Sequence, residues 1–247
     1  MTRPTAIILA AGRGIRILPF SKNVPKCLLP IGKDCTILDF QLRTCLDLGI
    51  KNIVMCVGYK SELITKRLSY FRRLGLNISA VDNKEYGTTN TLFSFALTLA
   101  RIKKDYLLLN GDVLFDKQIL VNILKIKKNG GAILAVQKKP TGKEEIKVCL
   151  TKEGKIIKIS KKISRGSFGE YTGIGYFPKK SRCVFREMYS NLSRQTYVKE
   201  YYEFLFQEAI KKNILQFYSY DIGDLKFIEI DTKSDYEKAQ RLFREDI

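Results

Sequence analysis

The 247-residue sequence predicts an α/β protein: a mostly parallel, mixed sheet with helices on both faces and a small β-rich subregion. Three observations predict it. Short apolar runs alternate with helix-length stretches over roughly the first 140 residues. The first run, Ala6 to Ala11 (AIILAA), lacks polar alternation, as expected of a strand buried on both faces. It then breaks into Gly12-Arg13-Gly14-Ile15-Arg16, a glycine-rich basic turn of the kind that follows a strand in Rossmann-like sheets.

The elements follow in order. Leu38 to Leu48 has helical spacing and stops at Gly49. Asn52 to Val57 is a second strand, and Gly58-Tyr59 turns into a basic helix ending near Gly75. Asn77 to Val81 is a strand, Thr89 to Arg101 a helix, and Tyr106 to Leu109 a strand ending in Asn110-Gly111-Asp112. Asp116 is placed to cap a helix to Lys128, with Ala132 to Val136 a further strand. The pattern then changes to a hairpin, Lys147 to Thr151 and Lys155 to Ile159 around Glu153-Gly154. Tyr171 to Phe177 reads as a strand, followed by helices near Lys179 to Ser190 and Lys199 to Lys211. Strands at Leu215 to Tyr220 and Phe227 to Ile230 precede a closing helix, Asp235 to Phe243. With no repeat, linker or boundary, one domain over 1–247 is expected. Its core takes in about 1–140 and 214–247, and the subregion about 141–213.

Composition excludes several chemistries. The chain has no histidine, so neither Ser-His-Asp nor Cys-His triads are available. Its six cysteines show no C-x-x-C pairing, which removes the usual zinc and redox motifs. No apolar run approaches the ~20 residues of a membrane span, and the N-terminus lacks a signal-peptide core; a cytoplasmic protein without a membrane partner is expected. The net charge of +19 comes from scattered lysines rather than a basic stripe. It is read as solvated surface that also draws in small anions, and nucleic-acid binding is the least favoured reading. A homodimer is one assembly the sequence leaves open.

The basic turn suits phosphate. Gly12 and Gly14 bring bare backbone N–H groups close to an anion, Arg16 supplies a planar fork, and Lys26 after Pro25 a point charge. Neither G-x-x-x-x-G-K-[ST] nor G-x-G-x-x-G is present, since Ile17 holds the third glycine position. Asp112 follows the apolar run YLLLNG and Asp231 the run FIEI, so each is expected at the carboxyl end of a core strand. There they could share a hard cation such as Mg2+. Each could instead be a helix cap, a role that Asp235 would fill better than Asp231 for the last helix. A phosphate-type acceptor is already anionic near pH 7, so a chain without histidine needs no general base.

The string LAAGRGIR followed by PKCLLPIG resembles the signature of the nucleotidyltransferases. Further pieces (NKEYGTTNTLFS from Asn83, LLLNGDVLFD, ISK, GEYTGIGYF from Gly169, YYE and IEIDT) are similar to its CTP-dependent branch over nearly the whole chain. That branch includes phosphocholine, inositol-phosphate and aminoethylphosphonate cytidylyltransferases. The resemblance implies that Leu9, Ala10, Ala11, Gly12, Gly14, Arg16, Lys26, Gly111 and Asp112 line the nucleotide, with Asn83, Gly87, Thr89 and Asn90 beside the base. It implies Mg2+ on Asp112 and Asp231, these two acting with Arg16 and Lys26 as the catalytic set. Lys147, Lys161, Glu170 and Glu203 would face an acceptor-side region, where Tyr171, Tyr201 and Tyr202 add aromatic faces for a cationic group.

The expected activity is transfer of CMP from CTP to a small anionic phosphate or phosphonate (phosphocholine-like, aminophosphonate or polyol phosphate), with pyrophosphate released. Two alternatives stand beside it: a UTP- or other NTP-dependent sugar-1-phosphate nucleotidylyltransferase, and a catalytically silent nucleotide-binding regulatory subunit. Ile15 where the family commonly has Ser or Thr, and Thr91 where it commonly has Asn, are the departures behind them.

Overall fold

The computed structural model describes residues 3–126 and 130–245. The strands are β1 (Thr5–Ala10), β2 (Asn52–Val57), β3 (Asn77–Asp82), β4 (Tyr106–Asn110), β5 (Val113–Phe115), β6 (Ala132–Gln137), β7 (Lys147–Leu150), β8 (Ile156–Ser160), β9 (Gly169–Phe177), β10 (Phe217–Asp221) and β11 (Phe227–Glu229). The helices are α1 (Ile37–Asp47), α2 (Ser61–Arg73), α3 (Thr91–Leu99), α4 (Lys117–Lys125), α5 (Lys179–Ser190), α6 (Arg194–Lys199), α7 (Glu203–Lys211) and α8 (Lys233–Leu242).

Among these residues a nine-stranded sheet runs β3-β2-β1-β4-β9-β6-β10, with the β7–β8 hairpin joined to β9. β1, β2, β3 and β4 pair in parallel, as do β6 and β10, while β9 is antiparallel to both of its neighbours. The sheet is mixed and mostly parallel, as the sequence predicts. β9, which comes from the 141–213 stretch, lies at its centre.

The period of two along β1 divides the core. Ala6 and Ile8 face α1, α2 and α4, through Leu42, Leu68 and Ile119 among others. Ile7 and Leu9 face α3, α5 and α7, where Phe95, Phe185 and Phe206 form an aromatic cluster with Phe177 and Phe217. Helices cover both faces because both alternate sets of β1, β2 and β4 are apolar.

Four sequence expectations are corrected. The helix from Lys117 ends at Lys125, because Ile126 is extended (ψ 126°); the expected continuation to 127–128 lies outside the described residues. The helix expected over Lys199 to Lys211 is broken. α6 ends at Lys199, Glu200 is extended, and α7 starts at Glu203. The start of α3 uses the freed carbonyls: Asn90 N–H donates to Val198 O (2.9 Å) and Leu92 N–H to Glu200 O (3.4 Å).

β11 is not a strand of the main sheet. It pairs antiparallel with β5, Glu229 opposite Val113, so Asp231 follows a ribbon rather than a core strand. α8 is capped by Thr232 in a capping box closed by Asp235, which leaves the Asp231 carboxylate free of capping.

Candidate active site

The loop after β1 is shaped by Gly14, whose φ of +63° favours glycine and whose added Cβ would lie 3.3 Å from Lys26 Cβ. Ser21 Oγ holds this turn by donating to Gly14 O at 2.6 Å. Pro25 then leads into a single 3-10 turn, Lys26–Leu28, that sets Lys26 against the loop.

Asp112 and Asp231, 119 positions apart, meet because β5 and β11 follow and precede them in one antiparallel ribbon. Ile230 N–H donates to Asp112 O at 3.0 Å and fixes the register. Lys26 Nζ bridges the pair, 2.7 Å from Asp112 Oδ2 and 2.8 Å from Asp231 Oδ1. Arg16 adds a contact to Asp231 Oδ2 at 2.9 Å, though its side chain is 59% exposed and the pair is weak in energy. Burial alone would lower the Lys26 pKa, but the two carboxylates outweigh it and raise the ammonium above its usual value.

Glu229 completes the cluster, and sequence reading missed it. One oxygen each of Asp112, Glu229 and Asp231 lies within 4.8 Å of the others. Burial, with Asp112 and Asp231 beside it, pushes Glu229 up to about 8. The signal was the alternation in FIEID: Ile228 and Ile230 pack into the small core beneath α8, which leaves Glu229 and Asp231 on the opposite face. This all-oxygen donor set fits a hard divalent cation.

These groups open onto a cleft of about 510 Å³. Of the residues singled out in the sequence, Leu9, Gly12, Gly14, Arg16, Lys26, Gly87, Asn90, Asp112, Lys161, Glu170, Tyr171, Tyr201, Glu203 and Asp231 line it. Ala10, Ala11, Asn83, Thr89, Gly111 and Lys147 do not.

Asn83 is 1% exposed and orders the turn that carries Gly87 and Asn90. It donates to Thr89 Oγ1 (3.2 Å) and Ser94 Oγ (3.0 Å), and accepts from Glu85 N–H (2.9 Å). Lys147 is buried, with its ammonium donating to Lys161 O at 2.7 Å. Asn90 caps α3 through Thr91 N–H (2.8 Å), so its side chain is partly used by the fold.

Two further acids, Glu170 and Glu203, line the cleft. Glu170 is buried and paired with Lys139 Nζ at 2.5 Å; burial raises its pKa against that partner. Glu203 opens α7, where the helix dipole favours an anion, yet it is only 6% exposed and burial pushes it up to about 7. Its Oε2 has no hydrogen-bond partner, and neither does the Tyr171 hydroxyl. Asn110, not singled out in the sequence, lines the cleft beside Tyr202, whose Oη donates to Asn110 Oδ1 at 2.9 Å. Gly173 (φ +73°) admits that asparagine, since an added Cβ would lie 2.4 Å from Asn110 Nδ2.

A buried acid held above its ordinary value of 4.5 destabilises the fold as it ionises. The folded state binds the extra proton between about pH 4.5 and 7, so Glu203 weakens stability as pH rises through that window. Glu203→Gln is expected to gain about 3 kcal/mol over the parent between pH 5 and pH 8 in urea unfolding. A difference independent of pH would contradict the burial account.

The chain matches the family described as Nucleotidyl transferase over residues 5–228. It is 33% identical over 131 residues to D-glycero-alpha-D-manno-heptose 1-phosphate guanylyltransferase of Campylobacter jejuni, covering 52% of this chain and 54% of that protein. It is 34% identical over 115 residues to the CMP-5'-(3-aminopropyl)phosphonate synthase of Streptomyces rubellomurinus, covering 47% of this chain and 18% of that one. The chain thus spans about half or less of the length of these curated relatives. The inositol-1-phosphate CTP transferase from T. maritima superposes with a TM-score of 0.82 over 98% of this chain and 97% of that chain, at 21% identity. No helix among the described residues is long and apolar enough to cross a membrane.

Proposed function

The chain belongs to the nucleotidyl transferase family, and from that premise we propose that it transfers CMP from CTP to a small phosphate or phosphonate, with Mg2+ and release of pyrophosphate. One observation carries the reading. Across a single cleft, Lys26 bridges Asp112 and Asp231 beside Glu229, and the Gly12–Arg16 loop faces them.

Asp112 and Asp231, with Glu229 adjacent, would hold the metal, which when bound neutralises charge on phosphate oxygens. Backbone N–H groups of the loop and the Arg16 guanidinium orient the triphosphate. Lys26 stands at the carboxylates and presents its ammonium to the charge that develops around the α-phosphorus. An acceptor oxygen forms the new bond to that phosphorus as the α–β bridging bond breaks, and the electron pair leaves with pyrophosphate. A phosphate-type acceptor is largely dianionic at neutral pH, so a site without a histidine base suffices.

The cytidylyl reading is supported by the phosphonate synthase relative and the inositol-1-phosphate CTP transferase neighbour; the heptose relative is a guanylyltransferase. Pyrophosphate release with CTP, UTP, GTP and ATP in turn, each against a phosphate and phosphonate panel, tests it. CTP is expected to exceed the others by at least about tenfold in kcat/KM, a difference of ~1.4 kcal/mol in transition-state binding. Equal rates, or GTP in the lead, would refute the CTP assignment.

A further inference from the structure

We infer that Gln41 is a positioning residue for Asp112: from inside the core it clamps the turn that carries this carboxylate to the cleft. This deepens the proposed function and rests on it. Gln41 Nε2 donates to Asn110 O and to Val113 O, each at 2.8 Å, so one amide spans the two residues that flank Gly111-Asp112. Carbonyl oxygens on both sides identify that atom as the nitrogen, because an amide oxygen there would face two acceptors.

Packing does not call for a polar group at this position. Gln41 is fully buried on the core-facing side of α1, and Leu38 and Cys45, one turn before and one turn after it, are buried as well. An apolar side chain would suit such a face. The amide instead gives both protons to the turn and leaves its Oε1 without a hydrogen-bond partner. A buried acceptor left unpaired costs stability, so what distinguishes glutamine here is the pair of donors it aims at the turn.

Two further bonds hold the same turn from other sides. Gly111 N–H donates to Leu9 O at 2.9 Å, and a Cβ added to Gly111 would lie 2.6 Å from that oxygen, so the turn sits directly on β1. Ile230 N–H donates to Asp112 O at 3.0 Å from the ribbon side. Gln41 adds the support from α1. Segments distant in sequence thus fix the backbone of Asp112, whose carboxylate reaches Lys26 Nζ at 2.7 Å. Mg2+ requires near-octahedral oxygen ligands at about 2.1 Å, so a turn that shifts by a fraction of an ångström loosens the metal while the sheet stays intact.

The test compares Gln41→Met, which removes both donors, with Leu68→Ala, a cavity on α2 in the same core cluster. Mn2+, which takes the same oxygen ligands as Mg2+, is titrated in the presence of α,β-methylene-CTP and followed by electron paramagnetic resonance. Its dissociation constant is expected to rise at least about tenfold in Gln41→Met, the scale on which groups behind metal ligands act, and to stay within about threefold of the parent in Leu68→Ala. Amide exchange at Gly111 and Ile230 in Gln41→Met is expected to accelerate at least about tenfold more than exchange in β2, a local loosening that general destabilisation would not produce. Should Gln41→Met fail to fold, Gln41→Glu takes its place: it keeps the side-chain shape, offers at most one proton to two carbonyls, and is expected to shift both readouts in the same direction. A Mn2+ constant within about threefold of the parent in the Gln41 variant, an equal weakening in Leu68→Ala, or exchange at the turn that accelerates no more than in β2 would each overturn the inference. Failure of the nucleotide reading shows separately, as absent binding of Mn2+ and α,β-methylene-CTP by the parent protein, while the exchange comparison still decides whether Gln41 holds the turn.

Discussion

Asp112→Asn is expected to lower turnover by about a thousandfold with the melting temperature nearly unchanged. The substitution keeps the shape of the side chain and removes one of the three carboxyl groups that converge within 4.8 Å. Lys26 retains its contact with Asp231 at 2.8 Å, so the local scaffold keeps an anchor. Asp112 sits in the turn between β4 and β5, and its carboxylate is partly exposed to the cleft rather than packed in the core. The loss therefore falls on chemistry and not on folding. Steady-state pyrophosphate release beside a thermal melt checks both halves. A rate within about tenfold of the parent would remove Asp112 from the catalytic set.

Lys26→Met should be as damaging to turnover and, unlike Asp112→Asn, should also destabilise the protein. Lys26 is the cation shared by Asp112 and Asp231, and its own side chain is largely buried. Without it, those two carboxylates repel one another in a partly desolvated cluster. Removing one partner of such a group costs more than the pair contributes, here about 3 kcal/mol. Millimolar Mg2+ is expected to recover part of the melting temperature, because a divalent cation offsets the same carboxylates, while turnover stays low. The readout is a thermal melt with and without Mg2+. A variant as stable as the parent and indifferent to Mg2+ would contradict the electrostatic account of this cluster.

The sheet was legible from the sequence because doubly buried strands leave continuous apolar runs, as β1, β2 and β4 do. The position of β9 was not. An antiparallel insertion between β4 and β6 depends on partners far along the chain, and the apolar run of β9 serves equally in a hairpin or at a sheet centre. The meeting of Arg16, Lys26, Asp112 and Asp231 was anticipated, but on different grounds for Asp231. A core-strand end was expected, whereas a two-stranded ribbon with β5 delivers it.

Glu229 was hidden because it lies inside an apolar stretch, where it reads as the outward residue of a strand. Glu203 was singled out, but the helix expected around it concealed the break at Glu200–Tyr202 that aims it into the cleft. That break arises from hydrogen bonds to the start of α3, more than 100 residues earlier, which no local pattern records. Asn83 and Thr89 illustrate the reverse case: polar residues within the quoted stretch that shape the turn carrying Gly87 from below.

The reaction proposed for the cleft lined by Lys26, Asp112, Glu229 and Asp231 is attack at the α-phosphorus of CTP. The most direct measurement is 31P NMR of the complete reaction with CTP, Mg2+ and 2-aminoethylphosphonate. One pyrophosphate per CTP consumed, matched by a new resonance for a phosphonate joined to CMP, is the predicted result. Orthophosphate with CDP would place the attack at the γ-phosphorus and contradict the assignment of chemistry to this site.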